Sequence, residues 1–255
     1  METPNGIKET QRWQIPYGDG GETTAIFDRS AAPLGDIVYI MAHGAGGNME
    51  HKTMEAFAQR FAATGFDVVR FNFSYTHRGR RAPDRMPKLT ACYQSVIEQV
   101  RSQLHPQVLL IGGQSMGGRA ASMLAAEGCQ CNGLILLAYP LHPAGKPEQL
   151  RDAHLPRIAA PVLCFNGTRD TLCRQDLMQP LVAGLSERFR MHWLEGADHG
   201  YKVLKASGRT QQQVFDEVAE VSCQWATQFY SVAQTPSRSR DVRQRPNNTT
   251  TEDPR

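Results

Sequence analysis

The chain has 255 residues, 40% of them hydrophobic and 21% charged, an ordinary globular composition that supports a sizeable core in one large domain or two small ones. Its net charge of +3 is concentrated in residues 234–255, which hold five arginines against three acids, so the remainder is near neutral and has no electrostatic footprint for nucleic acid. No apolar run approaches membrane-spanning length, and Met1–Lys8 lacks the charged-then-apolar pattern of a secretory signal, so a cytoplasmic protein with no membrane partner is expected.

In chain order, two strand-like runs, Arg12–Pro16 and Glu22–Asp28, flank the turn signal Tyr17-Gly18-Asp19-Gly20-Gly21 and predict a hairpin. The apolar run Ile37–Ala42 predicts a buried strand ending at His43-Gly44-Ala45-Gly46-Gly47. Met54, Phe57, Phe61 and Ala62 recur at helical spacing within Lys52–Thr64, and Gly65 stops that helix. A strand over Asp67–Phe73 leads into a polar, arginine-rich loop, Ser74–Pro87, and then a helix over Leu89–Leu104. The apolar run from Val108 and the small-residue helix Arg119–Ala126 follow, then a strand over Leu134–Tyr139 that Pro140 breaks. After a connector come a strand over Pro161–Phe165, a helix over Arg174–Leu185, a strand over Phe189–Leu194 and a closing helix over Gln211–Tyr230. Continuous apolar strands alternating with helices imply a mostly parallel sheet covered on both faces. With no internal repeat or linker, residues 1–233 read as one three-layer α/β domain of about eight strands with an antiparallel start, the α/β-hydrolase arrangement. Residues 234–255 are nearly free of apolar side chains and read as a disordered polar tail.

The stretch Val108–Arg119 is the most telling. Its strand ends at Gly112-Gly113, Ser115 stands within Gly113-x-Ser115-x-Gly117, and a helix begins at once, the layout of a nucleophile elbow. Side chains two residues either side of the serine would collide in so sharp a turn, and glycine at 113 and 117 removes the collision. The bare pattern also fits an ordinary glycine-rich turn, so the decisive question is whether partners follow in the right order. They do. Asp170 stands a few residues past the strand after next, and His199 follows the last strand in Asp198-His199-Gly200. Taken singly, Asp170 also fits a helix cap and His199 a loop histidine. Jointly the order Ser115, Asp170, His199 predicts a nucleophile, an orienting acid and a base at the carboxyl edge of a parallel sheet. The oxyanion donors expected are the backbone N–H groups of Met116 and, in the His43–Gly47 loop, Ala45. Of the other histidines, His192 reads as structural within a strand, and His105 and His154 as solvated or capping at helix ends. Cys92, Cys164 and Cys223 read as small core residues, and Cys129-x-Cys131 has no second pair at metal-site spacing, so neither metal nor cofactor is expected.

With those residues in register, the chain resembles a group of small predicted α/β-hydrolases related to dienelactone hydrolases. The group has bacterial members and includes a testis-expressed vertebrate protein and the hydrolase-like subunit of the NSL chromatin-acetylation complex. The resemblance covers roughly residues 36–230. It is carried most specifically by Tyr139-Pro140-Leu141-His142-Pro143-Ala144-Gly145-Lys146-Pro147 and Lys205-Ala206-Ser207-Gly208, with His43–Gly46 and Gly112–Arg119 beside them. It implies the hydrolase fold and a serine triad. Many members carry a basic residue where this chain has Gln114, and dienelactone hydrolases proper use cysteine where Ser115 stands, so lactone specificity does not carry over.

The connector Pro140–Ala160, roughly twenty residues long, is too short for a lid domain, so an open site is expected. His142 and Lys146 lie on it and are candidates for binding a polar or acidic acyl substrate, against the alternative of a proline-stiffened loop with solvated charges. Tyr75, Arg78, Arg80, Arg81 and Arg85 are candidates for a rim, against a solvated arginine-rich loop. The function expected is hydrolysis of a small carboxylic ester or thioester, with a small-molecule acyl compound as partner. Acyl transfer by the same triad, and a non-catalytic interaction protein that keeps the fold, are the alternatives.

Overall fold

The structure, a computed structural model, describes residues 6–18 and 20–233, with side chains as far as residue 228. The chain opens on an antiparallel hairpin, β1 (Ile7–Tyr17) and β2 (Gly21–Ser30), longer at both ends than the apolar runs suggest because the edge strand β1 is mostly exposed and polar. There follow β3 (Ile37–Ala42), α1 (Lys52–Ala63), β4 (Asp67–Phe71), the single turn α2 (Ser74–His77) and α3 (Met86–Leu104). Next come β5 (Val108–Gln114), α4 (Met116–Ala126), β6 (Gly133–Leu137), β7 (Val162–Gly167), α5 (Gln175–Ala183), β8 (Phe189–Leu194) and α6 (Gln211–Ala233). The strands form one sheet in the order β1-β2-β4-β3-β5-β6-β7-β8. From β4 to β8 along the sheet every neighbour is parallel, and the hairpin joins antiparallel at the β4 edge. The expected fold is the observed one. Among the described residues no helix is long and apolar enough to cross a membrane. The tail at 234–255 and the terminal residues Met1–Asn5 lie outside the described residues.

Strand alternation divides the core into two layers. On β3, Val38, Ile40 and Ala42 face α3, α4 and α5, while Ile37, Tyr39 and Met41 face α1 and α6. Two buried tyrosines cross these layers to serve the backbone. The Tyr93 hydroxyl accepts the Gly112 N–H at 2.8 Å and lies 2.7 Å from the carbonyls of Ile40 and Gly112. Tyr39 donates to the Ile135 carbonyl at 2.9 Å. Both hydroxyls are buried, and each finds its partners on the strand backbone beside Gly112, which leaves neither phenol unpaired.

Several local expectations change. The Ser74–Pro87 loop contains α2, and α3 begins three residues early because Pro87 suits the first turn of a helix, where its missing N–H costs nothing. The connector Pro140–Ala160 holds only a 3₁₀ turn at Leu155–Arg157 and no lid. Cys92 and Cys164 are core residues as expected, whereas Cys223 is half-buried on α6. His192 lies in β8 and bonds Glu217 at 2.8 Å. His105 is an exposed C-cap of α3 in the left-handed conformation.

His154 is not solvated. It is buried, with Nε2 2.8 Å from Ser122 Oγ, and the Ser122 hydroxyl donates to the Arg119 carbonyl at 2.8 Å. The serine proton is thereby committed, so His154 donates from Nε2 and is the neutral tautomer. Burial first, then the nearby Arg119 and Arg157, push its pKa down from 6.5 to about 4. The unfolded chain binds a proton near pH 6.5 while the folded chain resists until about pH 4, so stability is full above 6.5 and falls as the pH drops through that window. Urea unfolding should therefore give a lower free energy at pH 5 than at pH 7. His154→Gln, which keeps a donor to Ser122 without titrating, should remove on the order of 1 kcal/mol of that difference after allowance for solvent screening. An unchanged pH dependence in the variant would contradict the buried, neutral assignment.

Candidate active site

The site begins at the end of β5. Ser115 is held at φ 52° and ψ −115°, a left-handed conformation rarely adopted by a residue with a side chain. It is fixed there because its N–H donates to the Leu137 carbonyl at 2.8 Å and its carbonyl accepts from Arg119 N–H at 3.0 Å, opening α4. The flanking glycines are dictated by β3: a Cβ at 113 would stand 2.2 Å from the Ala42 carbonyl oxygen, and one at 117 would stand 2.4 Å from the same atom. Such a turn stores strain on the order of 1–3 kcal/mol and lifts the serine hydroxyl clear of the sheet.

Ser115 Oγ lies 2.9 Å from His199 Nε2. His199 Nδ1 lies 3.0 and 2.9 Å from the two carboxylate oxygens of Asp170. The structure thus brings together all three residues expected from their order along the chain. With Nδ1–H donated to the carboxylate, Nε2 is left as the acceptor for the serine proton. Asp170 has no exposed side-chain surface. Besides His199 its carboxylate accepts from Leu172 N–H at 2.8 Å and from Asn166 Nδ2 at 3.0 Å. Asn166 also donates to the Tyr139 carbonyl and accepts from the Tyr139 N–H, so β7 and the end of β6 aim the acid jointly. The two loops carrying acid and histidine are tied to each other: Arg169 N–H donates to Ala197 O at 2.9 Å, and Gly196 N–H to Thr168 Oγ1 at 2.8 Å. Asp198 caps the turn beneath His199, accepting from the N–H groups of Gly200 and Lys202 at 2.9 Å each.

His43 opens the loop after β3 and is fully buried. Its Nε2 accepts from Phe73 N–H at 3.2 Å, so the proton is on Nδ1, which donates to the Gly44 carbonyl at 2.8 Å. Burial lowers its pKa from 6.5 to about 4, and it is neutral at pH 7. In a trans peptide the C=O and the following N–H point in opposite directions, so fixing the Gly44 carbonyl aims the Ala45 N–H the other way. The Gly47 N–H holds that carbonyl too, at 3.1 Å. Among the described residues neither the Ala45 N–H nor the Met116 N–H has an acceptor. Gly44 presses against the elbow, since a Cβ on it would meet Ser115 Cβ at 3.4 Å. A serine, an oriented imidazole and two unengaged backbone donors beside them can together deliver a nucleophile and stabilise an oxyanion. The pocket in front of Ser115, about 380 Å³, is bounded by this loop, His51, Met54, Gln114, Leu172 and His199.

Other expected site residues fall elsewhere. His142 is buried, its Nδ1 3.0 Å from the Pro143 carbonyl, and Lys146 is exposed; neither lines the pocket. The chain turns His142 inward because its N–H pairs with the Leu172 carbonyl. Tyr75 is fully buried against His43 and Phe73 and is no part of a rim. Arg78 and Arg80 pair with Asp84, and Arg81 and Arg85 are exposed. His43 was read only as the first residue of the loop expected to carry an oxyanion donor, and Asn166, which positions the acid, was not singled out by sequence. A polar residue ending the otherwise apolar run Val162–Gly167 was the available signal for Asn166.

The sheet order, the strained serine turn and the missing lid define an α/β-hydrolase architecture. The chain belongs to the alpha/beta hydrolase domain family, whose model matches residues 35–227. Among solved structures it resembles an alpha-beta serine hydrolase homologue from Coxiella burnetii, with a TM-score of 0.68 at 20% identity over 82% of this chain and 96% of that one. It also resembles a lidless α/β serine hydrolase from Xanthomonas campestris, at 0.69 and 20% identity over 87% and 97% of the two chains. Est1E from Butyrivibrio proteoclasticus, with ferulic acid bound, matches at 0.69 and 17% identity over 84% and 99%. At these identities the likeness is one of fold.

The close approach at the elbow is directly testable. Gly117→Ala places a methyl group 2.4 Å from the Ala42 oxygen and should cost about 1–3 kcal/mol in urea unfolding. Gly184→Ala, at φ −91° with its nearest neighbour 3.5 Å away, should stay within about 0.5 kcal/mol of the parent.

Proposed function

We propose that this chain is a serine hydrolase of small carboxylic esters or thioesters, acting through an acyl-enzyme on Ser115. The observation that carries the reading is the continuous relay Ser115 Oγ–His199 Nε2 at 2.9 Å and His199 Nδ1–Asp170 at 2.9 Å, beside two free backbone donors. Ser115 Oγ attacks the acyl carbon while His199 Nε2 takes the serine proton. The carbonyl electron pair moves to oxygen, where Met116 N–H and Ala45 N–H receive the charge, each such donor being worth about 3 kcal/mol. Asp170 holds the histidine tautomer and stabilises the imidazolium. Collapse breaks the bond to the alcohol or thiol, which leaves with the proton from His199. Water then attacks the acyl-enzyme, His199 accepts its proton, and collapse returns the proton to Ser115 Oγ as the carboxylic acid departs.

Within its family we place the chain in the group related to dienelactone hydrolases, on the segments Tyr139–Pro147 and Lys205–Gly208. Its partner in this reading is a small acyl compound, and the chemistry draws on no cofactor or metal.

A fluorophosphonate probe should label the folded protein at Ser115 and leave Ser115→Ala unlabelled. Against a panel of p-nitrophenyl esters graded in chain length, with lactones and thioesters added, Asp170→Asn should retain binding and lose about 10⁴-fold in kcat. No labelling of the folded wild type would sink the proposal and favour a binding protein on the same fold. Product that forms only with an added alcohol or amine acceptor would replace hydrolysis by acyl transfer.

A further inference from the structure

Among the described residues, no Asp, Glu, Lys or Arg lines the pocket in front of Ser115. Its polar side chains are four besides Ser115, and two of those are already committed. His43 spends both ring nitrogens on backbone groups, and His199 spends both on Asp170 and Ser115. Two remain available.

Gln114 immediately precedes the nucleophile. Its backbone is held in the β5–β6 ladder opposite Leu137, and its side chain runs beside Gly44, where a Cβ would stand 4.0 Å from Gln114 Cγ. Gln114 is half-buried and lines the pocket, and its carboxamide has no hydrogen-bond partner among the described residues. An unspent amide lining the pocket leaves one donor pair and one acceptor for whatever enters. His51, exposed at the N-cap of α1, also lines the pocket. Its Nδ1 accepts the Thr53 N–H at 3.3 Å, so the proton of the neutral ring is on Nε2, which is left to donate.

From this we infer that Gln114, aided by His51, selects an acyl group that carries an uncharged hydroxyl close to the ester carbonyl. The inference rests on the hydrolase reading and names its substrate class. Gln114 is the chain neighbour of Ser115 and both line the same pocket, with adjacent Cα atoms about 3.8 Å apart, so the amide meets an acyl group near the carbon bound to Ser115. A hydroxyl both donates and accepts, which matches the amide oxygen on one side and the N–H groups of Gln114 and His51 on the other. A carboxylate would find donors there but no cation to offset its desolvation. A plain alkyl chain would leave the Gln114 amide facing it without a partner, a loss a hydrogen-bonding site does not tolerate well.

The test compares methyl 3-hydroxybutanoate, methyl butanoate and monomethyl succinate, followed by methanol release, with fluorophosphonate labelling of Ser115 run in parallel. Wild type should favour the hydroxy ester over butanoate in kcat/KM by about tenfold, with monomethyl succinate below both. Gln114→Leu and Gln114→Met each remove the amide and keep the stem, and each should bring the hydroxy-to-alkyl ratio close to one. Wild-type preference for butanoate or succinate, or a ratio unchanged in both variants while Ser115 still labels, would overturn the assignment alone. Failure of the folded wild type to label would overturn the hydrolase reading and this assignment with it.

Discussion

One backbone oxygen organises the site. The Ala42 carbonyl at the end of β3 lies where a Cβ on either Gly113 or Gly117 would have to go. The two glycines let β5 and α4 close on β3 with no side chain between them, and the serine between the glycines is forced into its left-handed conformation. The loop carrying His43 and Ala45 starts at the very next residue after Ala42. Ser115 and the backbone donors are therefore parts of one packed unit, and their spacing is set by main-chain contact instead of side-chain packing.

The other half of the site is built on the same plan. The acid on the loop after β7 and the histidine on the loop after β8 are stitched together by Arg169, Gly196 and Thr168, and Asn166 holds the acid from the strand end. Three histidines then serve different ends. His199 keeps one ring nitrogen toward the serine. His43 spends both of its nitrogens on backbone groups to hold a peptide plane, and burial keeps it neutral. His154 fastens the connector to α4 through Ser122, behind the elbow. The two buried rings support the site mechanically without carrying charge.

How much of this the sequence revealed depends on the kind of information involved. Apolar strands ending in glycine or polar residues set out the sheet, because burial on both faces leaves a continuous apolar run, as in Ile37–Ala42, whose limits agree with the structure. Chain order placed Ser115, Asp170 and His199 at one edge, since parallel strands all deliver their following loops there. Which way a side chain turns within such a loop was not legible. His142 and Tyr75 stand at the right edge yet point into the core, and His154 is buried by a serine more than thirty positions away in sequence. The early start of α3 was legible from Pro87 but outweighed by the polarity around it. The short α2 had no periodicity to reveal it, being a single turn held by Phe73 and Ser74 carbonyls.

The connector after β6 has a consequence for how such a site diversifies. Its only regular element is one 3₁₀ turn, so it adds no lid over the cavity mouth. The pocket is bounded by the short loops after β3, β7 and β8 and the start of α1, so its outline is set by few side chains. Replacing a side chain at one of these wall positions alters the pocket and leaves the scaffold, with its shared carbonyl at Ala42, untouched.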